Sequence, residues 1–381
     1  MKSYGYGHQS ISEADINAVI KAMRSDFLTQ GPFVAKFEEA LCQYTGAKYA
    51  VVVANGTVAL HLAMLALEIE PDDEVITSPN TFLASANCIV YVGGNVKFAD
   101  IDLTTANIDP KNIEKQITPK TKAIIPVHFA GQPCDMQSIQ NIAKKHNIKI
   151  VEDAAHALGS DYKNTKIGSC NYSDLTTFSF HPVKTITTGE GGAIMTNDKE
   201  LYEKLIMFRS HGMTKNPKLL HKNDGQWYYE MQMLGYNGRM TDIQSALGIS
   251  QLKRINKFKA KRRKIVETYK TLLGNDKRFS FLDEKTYSET CFHLCPLLVN
   301  FDVVKKSKRE IFTDLSSCGI NLQVHYIPVH TQPFYKDYGY KTGDFPLSEK
   351  YYEKTMSLPL YADLTTNDVK YIVKIIKEVV K

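Results

Sequence analysis

The chain reads as an α/β protein, with a large, mostly parallel sheet domain followed by a smaller α+β domain. Three observations predict this. Short apolar runs alternate with helical patterns through the first half. After Gly192 that alternation gives way to long helical stretches and mixed segments. At 381 residues the chain exceeds what a single hydrophobic core usually supports.

The elements follow in order. Ser12 is placed to N-cap an amphipathic helix over 12–24. Residues 50–54 form a short buried strand, and Asn55-Gly56-Thr57 opens a helix running through Leu67. Residues 74–77 are a strand, followed by a helix over 82–90. Strands are expected at 96–99, 123–127 and 148–153, with a helix over 136–145 before the last. Continuous apolar strands of this kind are covered by helices on both faces. Beyond Gly192, helices are expected over 199–208 and 241–273. A strand at 292–299, a helix at 306–316, a strand at 321–325 and a helix at 367–380 complete the reading. The polar, aperiodic stretch 216–227 reads as a loop. The domains are placed at 12–250 and 251–381, with residues 1–11 packing near the active site.

Composition narrows the function classes. Hydrophobic content of 43% is ordinary for a soluble globular protein. No apolar run is long enough to span a bilayer, so no membrane partner is expected. Met1 to Gly7 lacks the apolar core of a signal peptide, and a cytoplasmic location is expected. The seven cysteines, at 42, 88, 134, 170, 291, 295 and 318, are odd in number and lack paired finger spacing. Free thiols in a reducing compartment are expected, and no metal. The net charge of +6 is mild. The basic run Lys257 to Lys264 reads as the solvated face of a helix. It lacks the interleaved aromatics of a nucleic-acid platform, so no nucleic acid is expected.

Chemistry concentrates around Lys184. The segment Thr177-Phe178-Ser179-Phe180-His181-Pro182-Val183-Lys184 leads from a strand into a hydroxyl-rich turn, and Gly189-Glu190-Gly191-Gly192 returns into a second strand. A lysine desolvated there has a lowered pKa and forms a Schiff base with an aldehyde. Asn55-Gly56-Thr57 opens a helix after a strand, where backbone N–H groups bind phosphate. Taken singly, an ordinary capped helix explains that motif better. Asp153 ends an apolar strand, where α/β ligands bind, and its carboxylate suits a pyridinium nitrogen. An N-cap explains it equally well. Phe82 reads as either a ring cover or a core aromatic, while Ser179 and His181 stand beside the lysine. Together they form a phosphate cradle, a ring-nitrogen partner, an aromatic lid and a nucleophilic amine. That is the set required by pyridoxal 5′-phosphate.

These segments resemble the DegT/DnrJ/EryC1/StrS sugar aminotransferase family. The resemblance extends to Leu28-Thr29-Gln30-Gly31-Pro32, Glu152-Asp153-Ala154-Ala155-His156 and Tyr236-Asn237-Gly238-Arg239-Met240-Thr241-Asp242, in order along almost the whole chain. It implies a fold type I pyridoxal phosphate enzyme, a homodimer with shared active sites. It assigns Lys184 as the Schiff-base lysine and Asp153 as the ring-nitrogen partner. Gly56, Thr57 and Ser179 would hold the phosphate, with Asn237 arriving from the other subunit, and Phe82 and His156 would lie near the ring. Substrate-contacting candidates are Tyr6, Thr29, His181, Arg209, Arg239, His325 and Tyr326. Of these, Arg209 and Arg239 are the candidates for the donor carboxylate.

Within the family, Phe208 to Met213, Thr185 to Thr188 and Gln323 to Val329 are similar to the branch that serves pseudaminic acid biosynthesis. That branch aminates C4 of UDP-2-acetamido-2,6-dideoxy-β-L-arabino-hexos-4-ulose with L-glutamate. For His325 and Tyr326 the plainer explanation is an ordinary strand end. Some family members carry histidine at the lysine position and dehydrate sugars; Lys184 favours transamination. Three alternatives stand beside this reading. The first is the same chemistry on a bacillosamine, perosamine or 4-amino-arabinose precursor. The second is a different pyridoxal phosphate class, such as a desulfurase. The third is a non-catalytic regulator that keeps the fold.

Overall fold

The computed structural model describes residues 2–381. At its centre is a seven-stranded sheet. In chain order its strands are β1 (Tyr49–Val53), β2 (Glu74–Thr77), β3 (Asn95–Phe98), β4 (Thr121–Ile125), β5 (Lys149–Asp153), β6 (Leu175–Ser179) and β7 (Gly192–Thr196). Across the sheet they run β1-β7-β6-β5-β4-β2-β3. Every pairing is parallel except the two made by β7. Six strands therefore point one way and end on one edge. Val51, Val52, Val53, Ile124, Val151 and Ile194 are fully buried, because helices cover both faces.

Caps start the helices. In α1 (Glu13–Met23), Asp15 accepts the Ser12 N–H at 2.8 Å. α2 (Pro32–Thr45) opens on a proline, whose missing N–H has no intrahelical partner at that position, and closes at Gly46 with φ 86°. In α3 (Gly56–Ala66), the Asn55 side chain accepts the Val58 N–H at 2.9 Å. α4 (Ala84–Tyr91), α5 (Met136–His146) and α6 (Lys199–Arg209) complete the cover of the sheet.

Some expectations need correction. The stretch 241–273 is two helices, α7 (Asp242–Leu252) and α8 (Ile255–Leu273). At the break Arg254 leaves helical geometry, and its guanidinium donates to buried Asp15 and to the Ser10 carbonyl. The expected strand at 292–299 begins only at Cys295, because Phe292 has φ 50°. That at 321–325 shrinks to Ile320–Asn321, paired with Tyr4–Gly5, plus a bridge from Gln323 to Ser357. The helix expected at 82–90 starts at Ala84. Four α-helices lie outside the sequence expectations: α2, Pro110–Gln116, Pro333–Asp337 and Pro346–Lys354.

A second, three-stranded antiparallel sheet joins Phe279–Phe281, Cys295–Val299 and Thr355–Leu358. Its core takes in Tyr4, the distal half of α8 and the helix Thr366–Val379. α8 spans both cores: Ile255 and Phe258 pack with the large sheet, Ile265 to Leu273 with the small one. No helix of the described residues is long and apolar enough to cross a membrane.

Candidate active site

A cleft of about 680 Å³ opens where the carboxyl ends of β1, β2, β5 and β6 meet the segment 323–327. This is where parallel α/β sheets place ligands, since strand ends and helix N-termini converge there.

Lys184 projects from the turn between β6 and β7. Backbone bonds close that turn: Phe180 N–H donates to Gly191 O at 2.8 Å, Thr188 N–H to Phe180 O at 3.0 Å, and Lys184 N–H to His181 O at 2.9 Å. Hydroxyls reinforce it, with Thr187 Oγ1 donating to Phe180 O at 3.1 Å and Thr188 Oγ1 to Glu190 O at 2.6 Å. The lysine side chain reaches solvent only in part, through the cleft. Burial lowers its amine from 10.5 to about 8, against the opposing pull of Asp153. Among the described residues, no side chain hydrogen-bonds to its Nζ.

Asp153 ends β5 and is buried. Its Oδ2 accepts from Ser85 Oγ at 2.6 Å, and its Oδ1 from the Ala155 N–H at 3.1 Å. Beside it lies a group of uncharged rings. Tyr326 Oη and His156 Nε2 are 3.0 Å apart, and the two rings stack at 21°. His293 packs against His156 with centroids 4.3 Å apart. Burial holds both imidazoles well below their ordinary range, and it pushes His325 down to about 3, with Lys184 adding to each effect. These histidines are neutral at pH 7 and add no positive charge beside the lysine.

Opposite the lysine, α3 presents its N-terminus to the cleft through Gly56 and Thr57. A Cβ on Gly56 would sit 2.9 Å from the Ser179 Cβ. The glycine is required by this close approach, and it brings the helix N–H groups beside the Ser179 hydroxyl.

Known proteins share this sequence and this geometry. The DegT/DnrJ/EryC1/StrS aminotransferase family profile matches residues 9–377. The chain belongs to this family. A Campylobacter jejuni protein named UDP-4-amino-4,6-dideoxy-N-acetyl-beta-L-altrosamine transaminase is 41% identical over 372 residues, covering 96% of this chain and 95% of that one. Helicobacter pylori PseC, described as an aminotransferase involved in the biosynthesis of pseudoaminic acid, superposes with a TM-score of 0.92 at 36% identity, covering 100% and 99% of the two chains. The pyridoxal phosphate form of a putative sugar aminotransferase, Spr1654 of Streptococcus pneumoniae, superposes with a TM-score of 0.91 at 32% identity and full coverage of both chains. The protein is therefore a fold type I aminotransferase that uses pyridoxal phosphate.

The residues present fit that cofactor. The cleft holds a free, lowered amine for its aldehyde and a buried carboxylate for its ring nitrogen. It also holds a glycine-dependent helix N-terminus for its phosphate.

The structure gathers most of the sequence candidates of this DegT-family chain. Tyr6, Gly56, Thr57, Phe82, Asp153, His156, Ser179, His181, Lys184, His325 and Tyr326 all line the cleft. Four lie outside it. Thr29 is exposed and bridges to Thr241. Asn237 is exposed and pairs with Ser210. Arg239 is half-buried and bridges to Val53. Arg209 does not line the cleft, and its Nη1 donates to Glu38 at 2.5 Å and to the Val52 carbonyl at 3.0 Å. The sequence reading missed Thr81, Ser85, His293 and Gln323. A hydroxyl at 81 and another at 85, one helical turn apart and close behind a strand end, were the available signal for the first two.

Proposed function

We propose that this enzyme transfers the amino group of L-glutamate to C4 of UDP-2-acetamido-2,6-dideoxy-β-L-arabino-hexos-4-ulose, a cytoplasmic step toward pseudaminic acid. The observation that carries the chemistry is the half-buried Lys184 amine, lowered to about 8 by burial in the cleft that Asp153 also lines. Supporting the substrate are the 41% identity to the Campylobacter transaminase and the likeness to PseC.

Pyridoxal phosphate bound here supplies an aldehyde that captures amines and a ring that draws negative charge from the donor carbon. The chain's own residues do the rest. Gly56, Thr57 and Ser179 hold the phosphate. Asp153 would accept the ring N–H, and His156 and Phe82 would lie near the ring. Lys184 anchors the cofactor at rest. Its Nζ would take the proton from the donor Cα and, in the second half-reaction, deliver one to C4 of the sugar. An amine near 8 suits both directions at neutral pH. Tyr6, His181, His325 and Tyr326 line the path to the sugar.

A second copy of the chain completes the site. Trp227, Met231 and Leu234, in the segment that leads to Asn237, are 73%, 64% and 76% exposed, apolar side chains suited to a contact between copies, and Asn237 would reach the phosphate of the partner site. The cofactor sits in the portion 12–250, and the portion 251–381 closes over it.

The test has two arms. Borohydride reduction of the holoenzyme followed by peptide mapping should place the label on the peptide carrying Lys184; a label elsewhere ends this reading of the site. A panel of UDP-, GDP- and dTDP-linked 4-keto sugars, followed by 2-oxoglutarate release, should favour the UDP sugar by at least about 100-fold in kcat/KM. Preference for a GDP- or dTDP-linked sugar refutes the substrate while leaving the chemistry.

A further inference from the structure

Asp153 does not meet the cleft as an isolated carboxylate. Ser85 Oγ lies 2.6 Å from its Oδ2, and Thr81 Oγ1 lies 2.7 Å from Ser85 Oγ. Ser85 is fully buried, with Thr81 and Asp153 nearly so. A hydroxyl has one proton to give, and an ionised carboxylate only accepts. The Ser85 proton therefore goes to Asp153, and Thr81 must donate to Ser85. The two hydroxyls form a one-directional chain that ends on the carboxylate. Both come from a single short stretch, the loop after β2 and the first turn of α4. That stretch is fixed independently, since Asn80 Nδ2 donates to the Ala106 carbonyl at 3.0 Å.

Hydrogen bonds to a charged acceptor are short and strong, and a chain of donors polarises each member further. Their effect on Asp153 is to stabilise its ionised form. A carboxylate facing a pyridine nitrogen shares one proton with it. The better the carboxylate charge is stabilised from behind, the more firmly that proton stays on the ring.

We propose that Thr81 and Ser85 are positioning residues that hold Asp153 as an ionised acceptor and so keep the cofactor's ring nitrogen protonated. The proposal rests on reading Asp153 as the ring-nitrogen partner. It goes beyond that reading by assigning the control of the shared proton to two hydroxyls on a different loop and helix.

The test uses holoenzyme reconstituted with pyridoxal phosphate carrying ¹⁵N in its ring, read by solid-state NMR. In the wild type the ring nitrogen should give a pyridinium signal. Asp153→Asn should move it to the neutral-pyridine position. Ser85→Ala should move it in the same direction, and kcat should fall about 10- to 100-fold. Thr81→Val should produce a smaller move, and Ser85→Thr, which keeps the hydroxyl, should restore the wild-type signal. If Asp153→Asn shifts the signal while Ser85→Ala leaves it in place, the relay is wrong and the ring-nitrogen assignment stands. If Asp153→Asn itself leaves the signal unmoved, both fall. Should Ser85→Ala not accumulate as folded protein, Ser85→Cys, a weak donor of similar volume, is measured in its place: a shifted signal supports the relay and an unmoved one overturns it.

Discussion

Replacing Lys184 with methionine should make the cofactor-free protein more stable at neutral pH. The amine is lowered from 10.5 to about 8 by burial. Methionine keeps much of the side-chain length, and no side-chain hydrogen bond to Nζ is lost. A displacement of this size corresponds to about 3 kcal/mol between the charged and neutral forms. Solvent entering through the cleft reduces it, and a gain of about 1–2 kcal/mol is expected. The sign follows from proton counting. The native pKa lies below the unfolded one, so between about pH 8 and 10.5 the unfolded chain holds the extra proton. Wild-type stability therefore rises with pH across that window, and below it the charged amine destabilises the native state. The assay is thermal unfolding of cofactor-free wild type and Lys184→Met at equal protein concentration, at pH 7 and pH 10. The variant should melt about 1–3 °C higher at pH 7, and the gap should narrow by more than half at pH 10. A variant no more stable than wild type at pH 7 refutes the reasoning. So does a gap that stays constant with pH.

Other perturbations test the rest of the site. In Gly56→Ala the new methyl meets the Ser179 Cβ at 2.9 Å, and overpacking of about 1–3 kcal/mol should weaken cofactor binding about tenfold or more in a fluorescence titration; unchanged affinity removes Gly56 from the phosphate cradle. Arg209→Met strands Glu38 in a largely buried position and should cost about 2 kcal/mol in urea unfolding while the KM for glutamate stays within about twofold; a tenfold rise in KM would restore Arg209 as a donor ligand. Leu234→Asp places a charge among the exposed apolar side chains of the segment that leads to Asn237, and size-exclusion chromatography should show single chains that have lost cofactor affinity; an unchanged elution volume counts against this segment as the contact between copies.

Much of this is legible in the residue order because each local signal agrees with the global arrangement. The apolar runs at 50–54, 74–77, 96–99, 123–127 and 148–153 lie within a residue or two of β1 to β5. A strand buried on both faces leaves a run of branched and aliphatic residues that needs no partner to be recognised. The cleft is legible for a related reason. Gly56, Asp153, Ser179 and Lys184 each sit at or beside a strand end, and one sheet edge brings them together. What escapes are features set by contacts distant in sequence. The break between α7 and α8 answers to Asp15, more than two hundred residues away, while the apolar period runs through it undisturbed. Phe292 reads as strand, but its backbone is left-handed. Residue type alone makes Arg209 a ligand for a carboxylate. The structure satisfies that preference with Glu38, which no spacing rule would connect to it.

The two ends of the chain are joined, and this bears on how the enzyme is made. Tyr4 packs in the small core and donates its hydroxyl to Asp368 in the last helix at 2.9 Å, while Lys2 reaches the same oxygen at 2.7 Å. On the ribosome the seven central strands are all available once Thr196 has emerged, so they can pair before the small sheet is made. Residues 2–5 must then wait for residues 320–321 and 368 before they have a surface to settle on. Tyr6, two residues beyond Tyr4, lines the cleft and so takes its place late. A nascent chain stalled before Thr366–Val379 should hold a finished sheet with one wall of its catalytic chamber still unhung.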